Sequence, residues 1–113
     1  MANVYDTANQ LEREMRETSQ YKDVKEAYEA ISNDEEANKV LTTFQELQQS
    51  LFAKQQMGQE ITAEEQEEAQ EVSNAMAENN LTIDLMNKER ELNQLLQDVN
   101  EIIMKPVQEI YQN

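Results

Sequence analysis

The 113-residue sequence has no Cys, no His and no Trp, and only one Gly and one Pro. Lack of Cys excludes disulfides, thiolate metal sites, iron–sulfur ligation and cysteine nucleophiles. Lack of His removes the usual acid–base residue, the usual zinc ligand and every imidazole-dependent serine triad. One Gly cannot build a phosphate-cradling loop of the GxxxxGKS/T or GxGxxG kind. Positive charge is scarce too: nine Lys and Arg stand against 24 Asp and Glu, a net charge of −15. A field of that sign repels phosphate backbones and anionic lipid, which argues against direct nucleic-acid or membrane-surface binding. No apolar run approaches the ~18 residues of a membrane span. The opening Met1-Ala2-Asn3-Val4 lacks the charged and apolar regions of a secretion signal, so a cytoplasmic location is expected. Catalytic residues, metals and cofactors are not expected.

What is present is helical periodicity. A mean hydropathy of −0.90 leans towards disorder, so the order of the apolar residues decides the matter. Val4, Ala8, Leu11 and Met15 make one stripe of a first helix, with Asn3 as its N-cap. Thr18-Ser19 caps a second stripe of Tyr21, Val24, Tyr28 and Ile31. Asn33-Asp34 closes it and opens a third helix, with Asp34, Glu35 and Glu36 suited to the positive helix end. Ala37, Val40, Leu41, Phe44, Leu47, Leu51 and Phe52 hold one face there, until Gly58 ends it. Thr62-Ala63-Glu64-Glu65 reads as a capping box, opening a fourth helix with Ala69, Val72 and Met76 on one face. Asn79-Asn80 interrupts the pattern. A long fifth helix follows from Leu81 through Leu85, Leu92, Leu95, Leu96, Val99, Ile102 and Ile103. Pro106 predicts a kink or stop near Met104–Pro106, with Val107, Ile110 and Tyr111 packing back as a terminal patch.

The expected fold is therefore all-α, a bundle of about five helices in one domain, residues 1–113. Two helices are long, roughly 34–57 and 81–104, and long apolar faces need long partners. Pairing with a second copy across an isologous interface satisfies them, so a homodimer or higher even-numbered oligomer is expected. Phe44, Gln48, Leu51, Phe52 and Gln55 are the candidate interface, with the two Gln amides falling inside the apolar stripe. Tyr5, Tyr21, Tyr28 and Tyr111 lie on or beside apolar faces and are expected in the core rather than in catalysis.

The most conspicuous local feature is acidic. No Lys or Arg occurs between Lys54 and Lys88, a stretch that contributes −8 of the net charge. Glu64, Glu67, Glu71 and Glu78 lie opposite Ala69, Val72 and Met76, and form a candidate docking face for a basic partner. The plainer alternative is a solvated face. A di-iron reading fails for lack of His, and a calcium loop has no matching Gly and oxygen pattern in 59–63.

Five pieces occur in a telling order and spacing. They are Val4-Tyr5-Asp6-Thr7-Ala8; Tyr21 with Tyr28; Phe44 through Leu47-Gln48; Lys54-Gln55-Gln56-Met57-Gly58-Gln59-Glu60-Ile61-Thr62; and Leu92 through Asn100-Glu101-Ile102-Ile103. In these the chain resembles the bacterial YheA/YlbF/YmcA (Com_YlbF-like) group, from about Val4 to Tyr111. The nearest likeness is to the YheA-type branch, uncharacterised proteins of Gram-positive bacteria. The resemblance implies an all-helical fold that associates as dimers, and no catalytic residue. For the YlbF and YmcA relatives it implies a cytoplasmic role with YaaT, in a complex modulating RNase Y-dependent RNA maturation. Competence, biofilm formation and sporulation are affected. The cysteine-bound iron–sulfur clusters of that complex do not carry over, because this chain has no Cys.

The expected function is a non-enzymatic adaptor or regulator acting through helix contacts, with a link to RNA processing or competence by resemblance and an unknown hetero-partner protein. The alternative is a self-associating scaffold with an acidic solvated face. Nucleic-acid mimicry by the Glu64–Glu78 face ranks behind both.

Overall fold

The computed structural model describes residues 3–112. Five helices follow one another: α1 (Val4–Met15), α2 (Ser19–Ser32), α3 (Glu35–Gln56), α4 (Ala63–Glu78) and α5 (Asn80–Tyr111), with no strand among the described residues. At 1.5 Å per residue α3 is about 33 Å long and α5 about 48 Å.

Short polar residues set the boundaries. Asn3 caps α1, its side-chain oxygen accepting from the Tyr5 backbone N–H at 2.8 Å. The Thr18 hydroxyl donates to the Met15 carbonyl at 2.7 Å and accepts from the Tyr21 N–H at 3.2 Å, so one side chain ends α1 and starts α2. Asp34 occupies the N-cap of α3 without a side-chain cap bond; Glu35 and Glu36 follow it in the first turn. At the far end of α3, Gly58 sits at φ +71°. The Gly58 N–H donates to the Gln55 carbonyl (3.1 Å) and the Gln59 N–H to the Lys54 carbonyl (2.9 Å), the paired bonds of a left-handed helix stop. A Cβ at Gly58 would meet nothing within 4 Å, so the cost of one is backbone strain alone. Gly58→Ala is expected to lower stability by about 1–2 kcal/mol in urea unfolding, without altering the helix content.

Contacts gather the chain into two compact units, Met1–Glu26 with Asn87–Asn113 (unit 1), and Ala27–Met86 (unit 2). Unit 2 holds the core. Within it α3 packs along α4, and Ala27, Ile31, Ala37, Leu41, Val72, Met76 and Leu85 are buried. Thr82 is buried among them with its hydroxyl 2.6 Å from the Met76 carbonyl and 3.0 Å from that of Asn79. Its single hydroxyl hydrogen, directed to the nearer Met76 carbonyl, serves one of the acceptors that the end of α4 leaves open. Asn79 in turn accepts from the N–H groups of Leu81 and Thr82 and caps α5. Unit 1 is different: none of its described residues is buried.

Three expectations need correction. The long helix, expected to kink or stop near Met104–Pro106, does not stop there but runs on through Pro106 to Tyr111. Pro106 removes the N–H that would have met the Ile102 carbonyl, but every described residue from Glu101 onward is exposed, so water can take that carbonyl. Val107, Ile110 and Tyr111 do not pack back; Ile110 is 67% exposed and Tyr111 83%. Nor do the tyrosines fill a core. Tyr5, Tyr28 and Tyr111 are exposed and Tyr21 is half-buried.

Candidate functional site

The chemistry-bearing side chains do not converge. Among the described residues no group of three or more His, Cys, Asp or Glu is placed to hold a metal ion. A hollow of about 530 Å³ lies in unit 2 and is lined by Asp34, Glu36, Val40, Ala75, Glu78, Asn79, Asn80 and Leu81. Its carboxylates come from two separate places in the chain, Asp34 with Glu36 and, on α4, Glu78.

Among the described residues, Glu65 is the carboxylate built into a network. Its Oε1 accepts from the Lys54 ammonium, from the Thr62 N–H at 3.1 Å and from the Thr62 hydroxyl at 2.9 Å. Its own N–H donates to Thr62 Oγ1 at 3.2 Å, which completes the capping box of α4. Lys54 lies in the last turn of α3, so this ion pair ties the end of α3 to the start of α4. The Lys54 ammonium first, then the Thr62 donors, hold the Glu65 carboxyl below its ordinary value of 4.5. A carboxyl depressed by folding stabilises the fold above that ordinary value, and its contribution disappears as pH falls through the lowered one. Urea midpoints of the wild type and Glu65→Gln should therefore differ most at neutral pH and converge in acid. On α1, Arg16 donates to Glu12 at 2.9 Å across one turn, lowering the Glu12 pKa and raising that of Arg16. Both ends of that pair are exposed, and it contributes little.

What the surface offers instead is uncovered apolar helix. On α5, Leu96, Ile102, Ile103, Met104, Val107, Ile110 and Tyr111 are exposed, and on α1 so are Val4 and Tyr5. Leu92, Leu96, Val99, Ile103, Val107 and Ile110 follow one another at three- and four-residue intervals, a single stripe down α5. Unit 1 carries these with eleven acidic and seven basic side chains; unit 2 carries thirteen acidic and two basic. The candidate residues on α3 split. Phe44 and Leu51 are half-buried, Gln48 and Gln55 are exposed, and Phe52 is 62% exposed. Four of them, Gln48, Leu51, Phe52 and Gln55, line a groove of about 420 Å³ closed by Ile61. Glu64, Glu67, Glu71 and Glu78 are all exposed on α4, away from the buried Val72 and Met76.

A family model described as "Control of competence regulator ComK, YlbF/YmcA" matches residues 4–108. The chain belongs to the Com_YlbF family. Among curated relatives it is 46% identical over 111 residues to a UPF0342 protein of Pediococcus pentosaceus, covering 98% of this chain and 97% of that one. It is 40% identical over 109 residues to the UPF0342 protein SERP1381 of Staphylococcus epidermidis, 96% of each chain. Among solved structures, a protein of unknown function (DUF964) from Bacillus stearothermophilus superposes with a TM-score of 0.89 at 29% identity. That match spans 97% of this chain and 96% of the other. Bacillus subtilis RicA, solved in complex with RicF, gives a TM-score of 0.68 at 21% identity over 96% of each chain, a likeness of fold. The Com_YlbF description is regulatory and names no enzyme activity. No helix among the described residues of this family member is long and apolar enough to cross a membrane.

Two features escaped the sequence reading. The α5 stripe continues past Pro106 rather than giving way to a separate terminal patch: Ile103, Val107 and Ile110 keep the spacing, and Glu101 with Lys105 make a helix-favouring i, i+4 pair. Ile61, alone between Gly58 and Thr62, carried no periodic signal; only its apolar character in a polar link marked it.

Proposed function

We propose that the chain is a non-enzymatic cytoplasmic adaptor of competence or RNA-processing control, working as a homodimer that presents a second surface to a hetero-partner protein. The observation that carries this reading is the uncovered apolar stripe of α5, in a unit that buries none of its described side chains. An exposed apolar face of that length marks an interaction surface. Membership in a family described by competence control supports a regulatory role, and RicA, a fold neighbour, was solved in complex with RicF.

Two faces compete for the twin: the α3 seam of Phe44, Gln48, Leu51, Phe52 and Gln55, and the α5 stripe. Burial favours α5, because two of the three apolar side chains of the α3 seam, Phe44 and Leu51, are already half-buried within their own chain, whereas Ile103, Val107 and Ile110 are exposed. Charge favours it too, since seven of the nine cations lie in unit 1. The exposed Glu64, Glu67, Glu71 and Glu78 then give the hetero-partner its sign, which is basic.

Sedimentation equilibrium at about ten micromolar, the scale of an ordinary transient complex, should return a dimer. A tagged pull-down from the native cytoplasm should return a stoichiometric partner, lost when Glu64, Glu67 and Glu71 are changed to Gln. A monomer would remove the twin. A dimer that brings down nothing would favour the self-contained scaffold.

A further inference from the structure

The groove on unit 2 belongs to neither the buried core nor the α5 stripe. Gln48, Leu51, Phe52 and Gln55 stand at i, i+3, i+4 and i+7 on α3, and Ile61 closes the far side. Its half-buried lining residues, Leu51 and Ile61, are apolar, two exposed amides stand at i and i+7 on α3, and the Phe52 ring is 62% exposed. We propose that this groove docks a basic amphipathic helix of a partner protein, with apolar side chains on Leu51, Phe52 and Ile61 and lysines or arginines towards the acidic surround. The proposal deepens the adaptor reading and rests on it.

Charge selects the occupant. Between Lys39 and Lys88 the sole cation is Lys54, and Glu65 holds it. Exposed Glu60 and Glu64 flank the Ile61 segment with no ion pair among the described residues, so nothing near the groove offsets their field. A second copy seated groove to groove would bring two units of −11 together, and like charges so juxtaposed oppose association. A twin's α5 end is no better matched, since Glu101, Lys105 and Glu109 leave it acidic. Such a head-to-tail contact would also propagate into open filaments rather than close.

Shape selects a helix. The groove follows α3 for about two turns, the span read by side chains at i, i+3 or i+4, and i+7 of an incoming helix. An all-helical chain offers no free strand edge to an extended peptide. Phe52, exposed and aromatic, is the expected anchor.

The test uses the full chain and a synthetic Leu/Lys peptide of about four helical turns, its leucines on one face. Two control peptides accompany it, one with the leucines scattered around the helix and one with Glu replacing Lys. Amide chemical-shift mapping should place the one-faced basic peptide over residues 48–61. Phe52→Ala should weaken it about tenfold or more. The scattered peptide should bind comparably weakly, and the Leu/Glu peptide not at all. Circular dichroism and the unfolding midpoint should stay unchanged in Phe52→Ala, because the ring is mostly in water.

Shifts confined to α5 or the outer face of α4 would overturn the proposal, as would equal binding by the scattered peptide or indifference to Phe52→Ala. Shifts at 48–61 that depend on protein concentration without peptide would assign the groove to a second copy instead. The first three failures would leave the pull-down and the α5 dimer standing, and the last would move the twin to the α3 seam without touching the pull-down, so the two readings fall separately.

Discussion

Leu85→Ala is expected to cost about 3 kcal/mol of folding stability, the ordinary range for a buried leucine cut back to alanine being about 2–5. Leu85 is 2% exposed and sits in the first turns of α5, among the seven apolar residues that make up the whole buried core of unit 2. A core that small has few other contacts to absorb a cavity, and total stabilities of single domains run only to about 5–15 kcal/mol. Urea unfolding at one fixed protein concentration measures the loss, since a self-associating chain gains apparent stability with concentration. Leu96→Ala is the control. Leu96 is exposed, so its truncation should matter little below the association range and more above it. Equal losses for the two variants at low concentration would mean that the core has been wrongly located.

The helix boundaries were legible in the sequence because they depend on local chemistry. Asn3, Thr18, Thr62 and Gly58 act within a few residues of themselves, and each does what its side chain, or lack of one, suggests. Burial was less legible, for a physical reason. Periodicity says which face of a helix is apolar, but not whether anything in the same chain covers it. Ile31, Ala37, Val72 and Leu85 lie on stripes and are buried; Val4, Ile103 and Ile110 lie on stripes equally good and are exposed. The tyrosines were misassigned by the same ambiguity, and Pro106 was overread because a proline's cost depends on whether water can reach the carbonyl it abandons.

The candidate surfaces divide along the same line. Gln48 and Gln55 are polar intruders in an apolar stripe, and they line a groove. Ile61 could not be joined to them without the turn at Gly58, which folds the link back against the end of α3. The Lys54–Glu65 pair is likewise a product of that turn. From sequence, Glu65 was a capping residue only; that it also removes the one local cation from the field around the groove needed coordinates.

Ile103→Glu is expected to abolish self-association at concentrations where the wild type is a dimer, a loss of a hundredfold or more in affinity. Ile103 lies mid-stripe on α5, between Leu96 and Ile110, and is 58% exposed in the single chain. Glu is a good helix former and would remain hydrated in the monomer, so the fold itself should be unaffected. In a dimer the carboxylate would be driven into an apolar seam opposite its own copy, where burial of an unpaired charge and like-charge repulsion act together. Sedimentation equilibrium of wild type, Ile103→Glu and Phe52→Glu separates the two candidate seams. Dissociation by Ile103→Glu alone supports the α5 interface. Dissociation by Phe52→Glu alone would return the twin to the α3 seam and leave the α5 stripe to the hetero-partner, which reverses the roles of the two surfaces.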